Sequence, residues 1–169
     1  NSGGAAAPGG QPQQPELSGQ VLFYNKPEPL TLEAHRSLGV KQVSNPFMFL
    51  RTAHAVPVTV SEFGVAASSY PLIFVGQDKT PVAVMGVRQG ENEYVSANGA
   101  PDPDSYVPAF ARRYPFVFAS DSNADRLLLC IDRNAPMVSE QPDVPFFEGD
   151  QPSKFTQEAM EFCKEFERQ

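Results

Sequence analysis

The chain has 169 residues, 41% of them hydrophobic, with thirteen Phe, no Trp, two Cys and a formal charge of −7. That length suits one domain, which removes roughly 70% of its unfolded surface from water and needs no disulfide to do so. An acidic balance excludes a general role on phosphate backbones, which takes clustered Lys and Arg, so no nucleic-acid partner is expected.

Fifteen of residues 1–20 are Gly, Ala, Pro or Gln. Such a composition cannot form a core of its own and reads as a flexible arm. Residues 21–169 are expected to make a single α+β domain, and seventeen prolines predict short elements with stiff connectors. Val21-Leu22-Phe23-Tyr24 is expected as a strand before a turn at Pro27 and Pro29. From residue 38 to residue 50 apolar residues mix with Asn45-Pro46, and extended chain is expected rather than helix. Thr59 or Ser61 can cap a helix over about 61–69. Tyr70-Pro71 stops it, because proline lacks an N–H and forces the preceding residue out of the helical region. Strand 71–75, turn 76–80 and strand 81–87 then form a hairpin.

The same order recurs. After loop signals at Asn98-Gly99 and Pro101-Asp102-Pro103-Asp104, Asp104 is placed to cap a helix over about 105–113, with Pro108 tolerated in its first turns. Tyr114-Pro115 stops this helix, and strand 115–119, turn 121–125 and strand 126–132 follow. The expectation is therefore a largely antiparallel sheet built from two helix–hairpin units, with helices on one face. Residues 127–131 are apolar at every position and should form a central strand covered on both sides. Last comes an amphipathic helix from Pro152 or Ser153 onward, with Phe155, Ala159, Phe162, Cys163 and Phe166 on one stripe. Residues 140–169 carry eight Asp or Glu against three Lys or Arg; an acidic run of this kind reads first as a solvated face.

Chemistry-bearing patterns are sparse. His35 and His54 are the only histidines, and neither sits in His-Glu-x-x-His; no Gly-x-Ser-x-Gly, P-loop or Gly-x-Gly-x-x-Gly occurs. Cys130 lies in the apolar run, where a thiol is inert, and neither cysteine has a Cys-x-x-Cys neighbour. Arg112 and Arg113 end a helix, where positive charge complements the last carbonyls; an anion site is the sharper alternative. Tyr70 and Tyr114 are expected to fill core space while their hydroxyls hydrogen-bond. Asn98, Asp102 and Asp104 lack the EF-hand spacing, so loop capping is preferred to calcium. No catalytic residue, metal ligand or cofactor is assigned, and no apolar stretch approaches the roughly 20 residues that cross a bilayer.

Taken as an ordered series, Val56-Pro57-Val58-Thr59, Glu62-Phe63, Ala66-Ala67, Tyr70-Pro71-Leu72-Ile73-Phe74, Pro81-Val82-Ala83, Gly90-Glu91-Asn92, Tyr106-Val107-Pro108-Ala109, Arg112-Arg113-Tyr114-Pro115-Phe116 and Leu129-Cys130-Ile131-Asp132 resemble the SapC family of bacterial proteins over about residues 21–169. The resemblance implies association with the bacterial surface layer, brings no catalytic residues with it, and implies a further C-terminal portion beyond the helix at residue 169. The leading expectation is thus a non-enzymatic structural or accessory protein of a surface-layer-associated or other assembly. Other protein subunits would be met through residues 1–20 and the helix 153–168, with Phe155, Phe162 and Phe166 at the contact. The alternative is a small-ligand-binding accessory domain with a pocket near Arg88, Arg113 and Asp132. An enzyme of unknown class, using His35 or His54 with Cys130 or Asp132, comes third. Both the cell surface and the cytoplasm of a bacterium are left open.

Overall fold

A computed structural model describes residues 22–121, 123 and 126–168. The arm expected over residues 1–20 lies outside them. Residues 22–24 form a turn instead of the expected strand, and the first strand, β1, is Pro27–Pro29. Thr31 then caps α1 (Leu32–His35) by accepting from the Ala34 N–H. β2 (Gly39–Val40) follows, and a 3₁₀ turn at Met48–Thr52 replaces the extended chain expected there. One helical turn lets Leu50 point into the core while Phe47 and Phe49 flank it, which an extended segment with alternating faces cannot do.

β3 (Ala55–Pro57) leads to Thr59, which caps a 3₁₀ turn (Val60–Glu62) continuing into α2 (Phe63–Ala67). Thr59 and Glu62 form a capping box, each side chain serving the other's backbone N–H. The hairpin β4 (Leu72–Val75) and β5 (Thr80–Val84) comes next. α3 is only Ala109–Arg112, shorter than expected, because Pro108 excludes Val107 from helical geometry and so sets the start. β6 (Phe116–Asp121) and β7 (Arg126–Asp132) form the second hairpin. The proline-rich stretch after it contains β8 (Val138–Ser139), β9 (Val144–Pro145), β10 (Phe147–Glu148) and β11 (Gln151–Pro152), none of which the sequence signalled. α4 (Lys154–Glu167) ends the described chain, capped by Ser153 Oγ, which accepts from the Thr156 N–H.

All pairings are antiparallel, but the described strands divide among four sheets: β1–β7–β6, β3–β5–β4, β8–β2–β9 and β10–β11. The single sheet expected is therefore corrected, since the two hairpins lie in different sheets. Each hairpin leaves one strand edge open, and a strand from earlier in the chain, β3 or β1, takes that edge. Central strand β7 is buried from Leu129 to Asp132, yet Arg126 and Leu127 at its other end are exposed. Within β8–β2–β9, Gly39 is the residue the packing demands: a Cβ there would lie 2.1 Å from the Val144 carbonyl oxygen.

Two cores result. The first joins Leu50, Val56, Ala83, Met85 and Phe110; the second joins Leu38, Phe116, Leu129, Ile131, Phe146 and Cys163. Fully burying one such side chain is worth about 2–3 kcal/mol. The apolar stripe of α4 serves both, with Phe155 and Ala159 against the second core and Phe166 against the first. No described helix is long and apolar enough to cross a membrane.

Both repeated tyrosines fill core space and donate hydrogen bonds, Tyr70 to the Tyr106 carbonyl and Tyr114 to Asp132 Oδ2 at 3.1 Å. Burial pushes the Tyr70 phenol up to about 12. The Tyr114–Pro115 peptide is cis.

Candidate functional site

Two buried carboxylates organise the loops. Glu62 Oε2 accepts from the Thr59 N–H and hydroxyl, both at 2.8 Å; Oε1 accepts from the Tyr106 hydroxyl at 2.7 Å and the Ala109 N–H at 2.6 Å. Burial by itself would raise the Glu62 pKa, but these four donors prevail and hold it below its ordinary value of 4.5. Asp132 has the same design at the end of β7. Its oxygens accept from the Asn25, Lys26 and Asn134 N–H groups at 2.9–3.1 Å and from the Tyr114 hydroxyl. It thereby pins the segment entering β1 to the turn leaving β7.

Arg112 and Arg113 take separate courses, as their places on a helix require. Arg112 reaches back to the Val107 carbonyl (3.0 Å) and the Tyr106 hydroxyl (2.9 Å), and its guanidinium lies over the Tyr106 and Phe162 rings. Arg113 is buried between Phe110 and Phe166, 4.4 Å from each ring centre, with Nη1 3.5 Å from Glu167. The expected capping of the α3 carboxyl end is corrected: backbone N–H groups close that end, and the guanidinium groups stack on aromatic rings and join α3 to α4. Arg113 Nε is buried without a hydrogen-bond partner among the described residues.

Clefts flank this contact. One, of about 280 Å³, is lined by Thr59, Glu62, Tyr106, Arg112, Phe162 and Phe166; another, of about 320 Å³, by Arg112, Arg113, Phe116, Phe155, Glu158 and Phe162. Of the residues singled out from sequence, Phe155, Phe162, Phe166 and Arg113 thus gather along α4. Asp132 is enclosed by loop donors instead, and Arg88 stands in an exposed loop 3.7 Å from Glu91. Glu62 and Tyr106 were not singled out. The Thr59-x-x-Glu62 spacing was the available sign for Glu62, because a capping box places that carboxylate beside the helix start.

His35 is buried, with Nε2 2.9 Å from Glu28 Oε1 and Nδ1 against the Thr31 backbone, while His54 is exposed. Both cysteines are free and buried, and burial pushes each thiol up to about 11. At pH 8 a soluble disulfide reagent is therefore expected to titrate neither thiol of the native protein within minutes and both at once in guanidinium chloride. Rapid labelling of the folded chain at either position would contradict this burial.

Along the chain's other hairpin, β4 forms the free edge of its sheet among the described residues. Ile73, Phe74 and Val75 are 46%, 63% and 40% exposed. The Pro71 carbonyl accepts from the Val84 N–H, so alternation turns the backbone groups of Ile73 and Val75 toward β5 and those of Leu72 and Phe74 outward.

Comparison with the curated proteins and with the solved structures gives no match. A family model described as SapC matches residues 30–169. That span takes in the buried residues of both cores, the Glu62 clasp, Asp132 with its Tyr114 and Asn134 donors, the β4 edge and all of α4, and the chain belongs to the SapC family.

Proposed function

We propose that this protein is a non-enzymatic component of a bacterial assembly, surface-layer-associated or other, acting through protein contacts, and that β4 is one of its interfaces. The observation carrying this reading is the β4 edge, which no described strand covers. Natural sheets protect an edge with charge, proline, a bulge or a cover, because unpaired N–H and C=O groups template further strands. Residues 72–75 here are Leu, Ile, Phe and Val, with no charge among them. Contacts through residues 1–20 and the helix 153–168 belong to the same reading. So does the description of the chain as two helix–hairpin units, α2–β4–β5 and α3–β6–β7, each presenting its hairpin to a different neighbour.

The occupant that fits β4 is a second copy. Antiparallel pairing about a two-fold axis at Ile73 sets Leu72 opposite Phe74 of the other copy, and these are the residues whose backbone groups point outward. Four N–H···O bonds form, and two three-stranded sheets become one of six strands. The two Ile73 side chains then lie directly opposite each other, about 5 Å apart at Cβ.

Light scattering of the wild-type chain at about 100 μM is expected to give twice the monomer mass. Ile73→Lys places like charges opposite each other and is expected to return it to monomer, while Val65→Lys, an equally exposed apolar site off the edge, leaves the dimer intact. A monomeric wild-type chain, or a dimer indifferent to Ile73→Lys, would remove the basis for this interface. A second reading, a small-ligand-binding accessory domain, has in its favour the clefts on either side of Phe162.

A further inference from the structure

Sheet β1–β7–β6 faces α4 with Phe116 and Phe118 of β6 and Leu127, Leu129 and Ile131 of β7, since Phe116 lies opposite Ile131 and Phe118 opposite Leu129. At the Ile131 end the space between sheet and helix is filled: Phe146 and Phe155 meet the Phe116 ring at 5.6 and 5.8 Å, and Cys163 joins them. Toward Leu127 the filling stops. Here a second ridge of α4, Thr156, Met160 and Lys164 at four-residue spacing, overlooks a cavity of about 460 Å³. Much of its remaining wall is apolar, from Leu30, Phe118, Leu129 and Phe147, with Thr31 beside Leu30, and half-exposed Leu127 stands at its edge.

Two cations, Arg126 and Lys164, line the same cavity in a chain of net charge −7. Each has a neighbouring acid, Asp121 at 3.3 Å for Arg126 and Glu161 at 2.9 Å for Lys164. Lys164 and Glu161 are both exposed, and such a pair is held weakly, so an incoming anion can exchange into it; Arg126 is exposed but its partner Asp121 is buried, so Arg126 keeps that contact through Nε while an anion meets its guanidinium from the solvent side. An apolar hollow with convergent polar groups at one side is the usual form of a small-molecule site, and its volume falls within the range of about 300–1,000 Å³ typical of them.

We propose that this cavity binds a medium-chain monocarboxylate, its alkyl tail against Leu30, Phe118, Leu129, Phe147 and Met160 and its carboxylate paired with Arg126 and Lys164. Arg126 and Lys164 offer the anionic head its donors, and the depth of apolar wall selects the tail. Nothing in this assignment depends on the β4 interface, which lies on a different sheet, β3–β5–β4.

Isothermal titration of the full chain with octanoate, decanoate and decyltrimethylammonium, each below its micellar concentration, tests it. Decanoate is expected to bind at one equivalent and about tenfold more tightly than octanoate, since each buried methylene tightens binding several-fold. Decyltrimethylammonium, with the same tail and the opposite charge, is expected not to saturate. Arg126→Gln with Lys164→Gln should weaken decanoate about tenfold in a chain of native circular dichroism, with a lowered melting temperature because buried Asp121 loses its cation, and Met160→Trp, which fills the cavity, should abolish binding in a chain of native circular dichroism. Should Met160→Trp not fold, intermolecular NOEs between decanoate and the Met160 and Leu129 methyls decide the matter, their presence supporting the site and their absence overturning it. No saturable decanoate heat, equal binding of the cationic amphiphile, or undiminished binding to a folded Met160→Trp chain would each overturn the proposal.

Discussion

Replacing Asp132 by Ala is expected to cost about 3–4 kcal/mol of stability, because hydrogen bonds to a charged acceptor are worth roughly 1.5–3 kcal/mol apiece in isolation and are not fully additive. The carboxylate is fully buried and receives three backbone N–H groups and one phenol from three separate segments. Its removal leaves those donors unserved and releases the segment before β1, the outer strand that covers one edge of β7. Asp132→Asn is expected to recover less than half of the loss: both oxygens face donors, so the amide NH₂ meets an N–H or O–H whichever way it turns. Chemical denaturation of the three chains measures this. A loss below about 1 kcal/mol for Asp132→Ala would mean that solvent takes over the donors and that Asp132 is free for other work.

Glu62 is expected to behave similarly in magnitude and differently with pH. Glu62→Gln should cost about 2–3 kcal/mol near pH 7, for the same reason of opposed donors. Because the folded-state pKa lies below 4.5, the group's contribution is present above its unfolded value and is lost as pH falls through the folded one. The wild-type advantage over Glu62→Gln should therefore narrow below about pH 4.5 and be constant above about pH 6. Urea unfolding at pH 3.5, 5 and 7 reads it directly, and a gap that widens on acidification would show that Glu62 is held protonated in the fold.

These two residues also show what the sequence could and could not convey. Asp132 at a strand end looked like a candidate for ligand binding, and its position was right, but what surrounds it comes from residues 25, 26 and 134, whose approach depends on β1 pairing with β7. No local pattern announces that pairing. Glu62 belongs to a local motif, Thr59-x-x-Glu62, and so was legible in principle; its second set of donors, Tyr106 and Ala109, lies more than forty residues away.

Elements were legible where punctuation was sharp. The Tyr-Pro stops, the start of β7 and the α4 stripe all fell close to their observed places, since proline and helical periodicity act within a few residues, while most of the expected turn 121–125 lies outside the described residues. Of the five two-residue strands, β8 to β11 were not legible, because two residues cannot display an alternation and β8 and β9 exist only through pairing with Gly39 and Val40. The division into separate sheets was hidden for the same reason. Hairpins are local, whereas the choice of β3 for β5 and β1 for β7 is a contest among distant edges. Among the candidate site residues, the phenylalanines of α4 were found by period, and Arg88 by its presence in a turn, which carries no information about neighbours.

α4 is a rod of about 21 Å by its 14 residues, and it is held at two points by different compartments. Phe166 is clasped by Phe110 and Arg113 in one, and Phe155 by Phe116 in the other. A body held this way behaves as a lever: a tail lodged beneath Met160 would press on the same rod that seats Phe166, so occupancy of the hollow and firmness of the compartment bearing β4 would share one moving part.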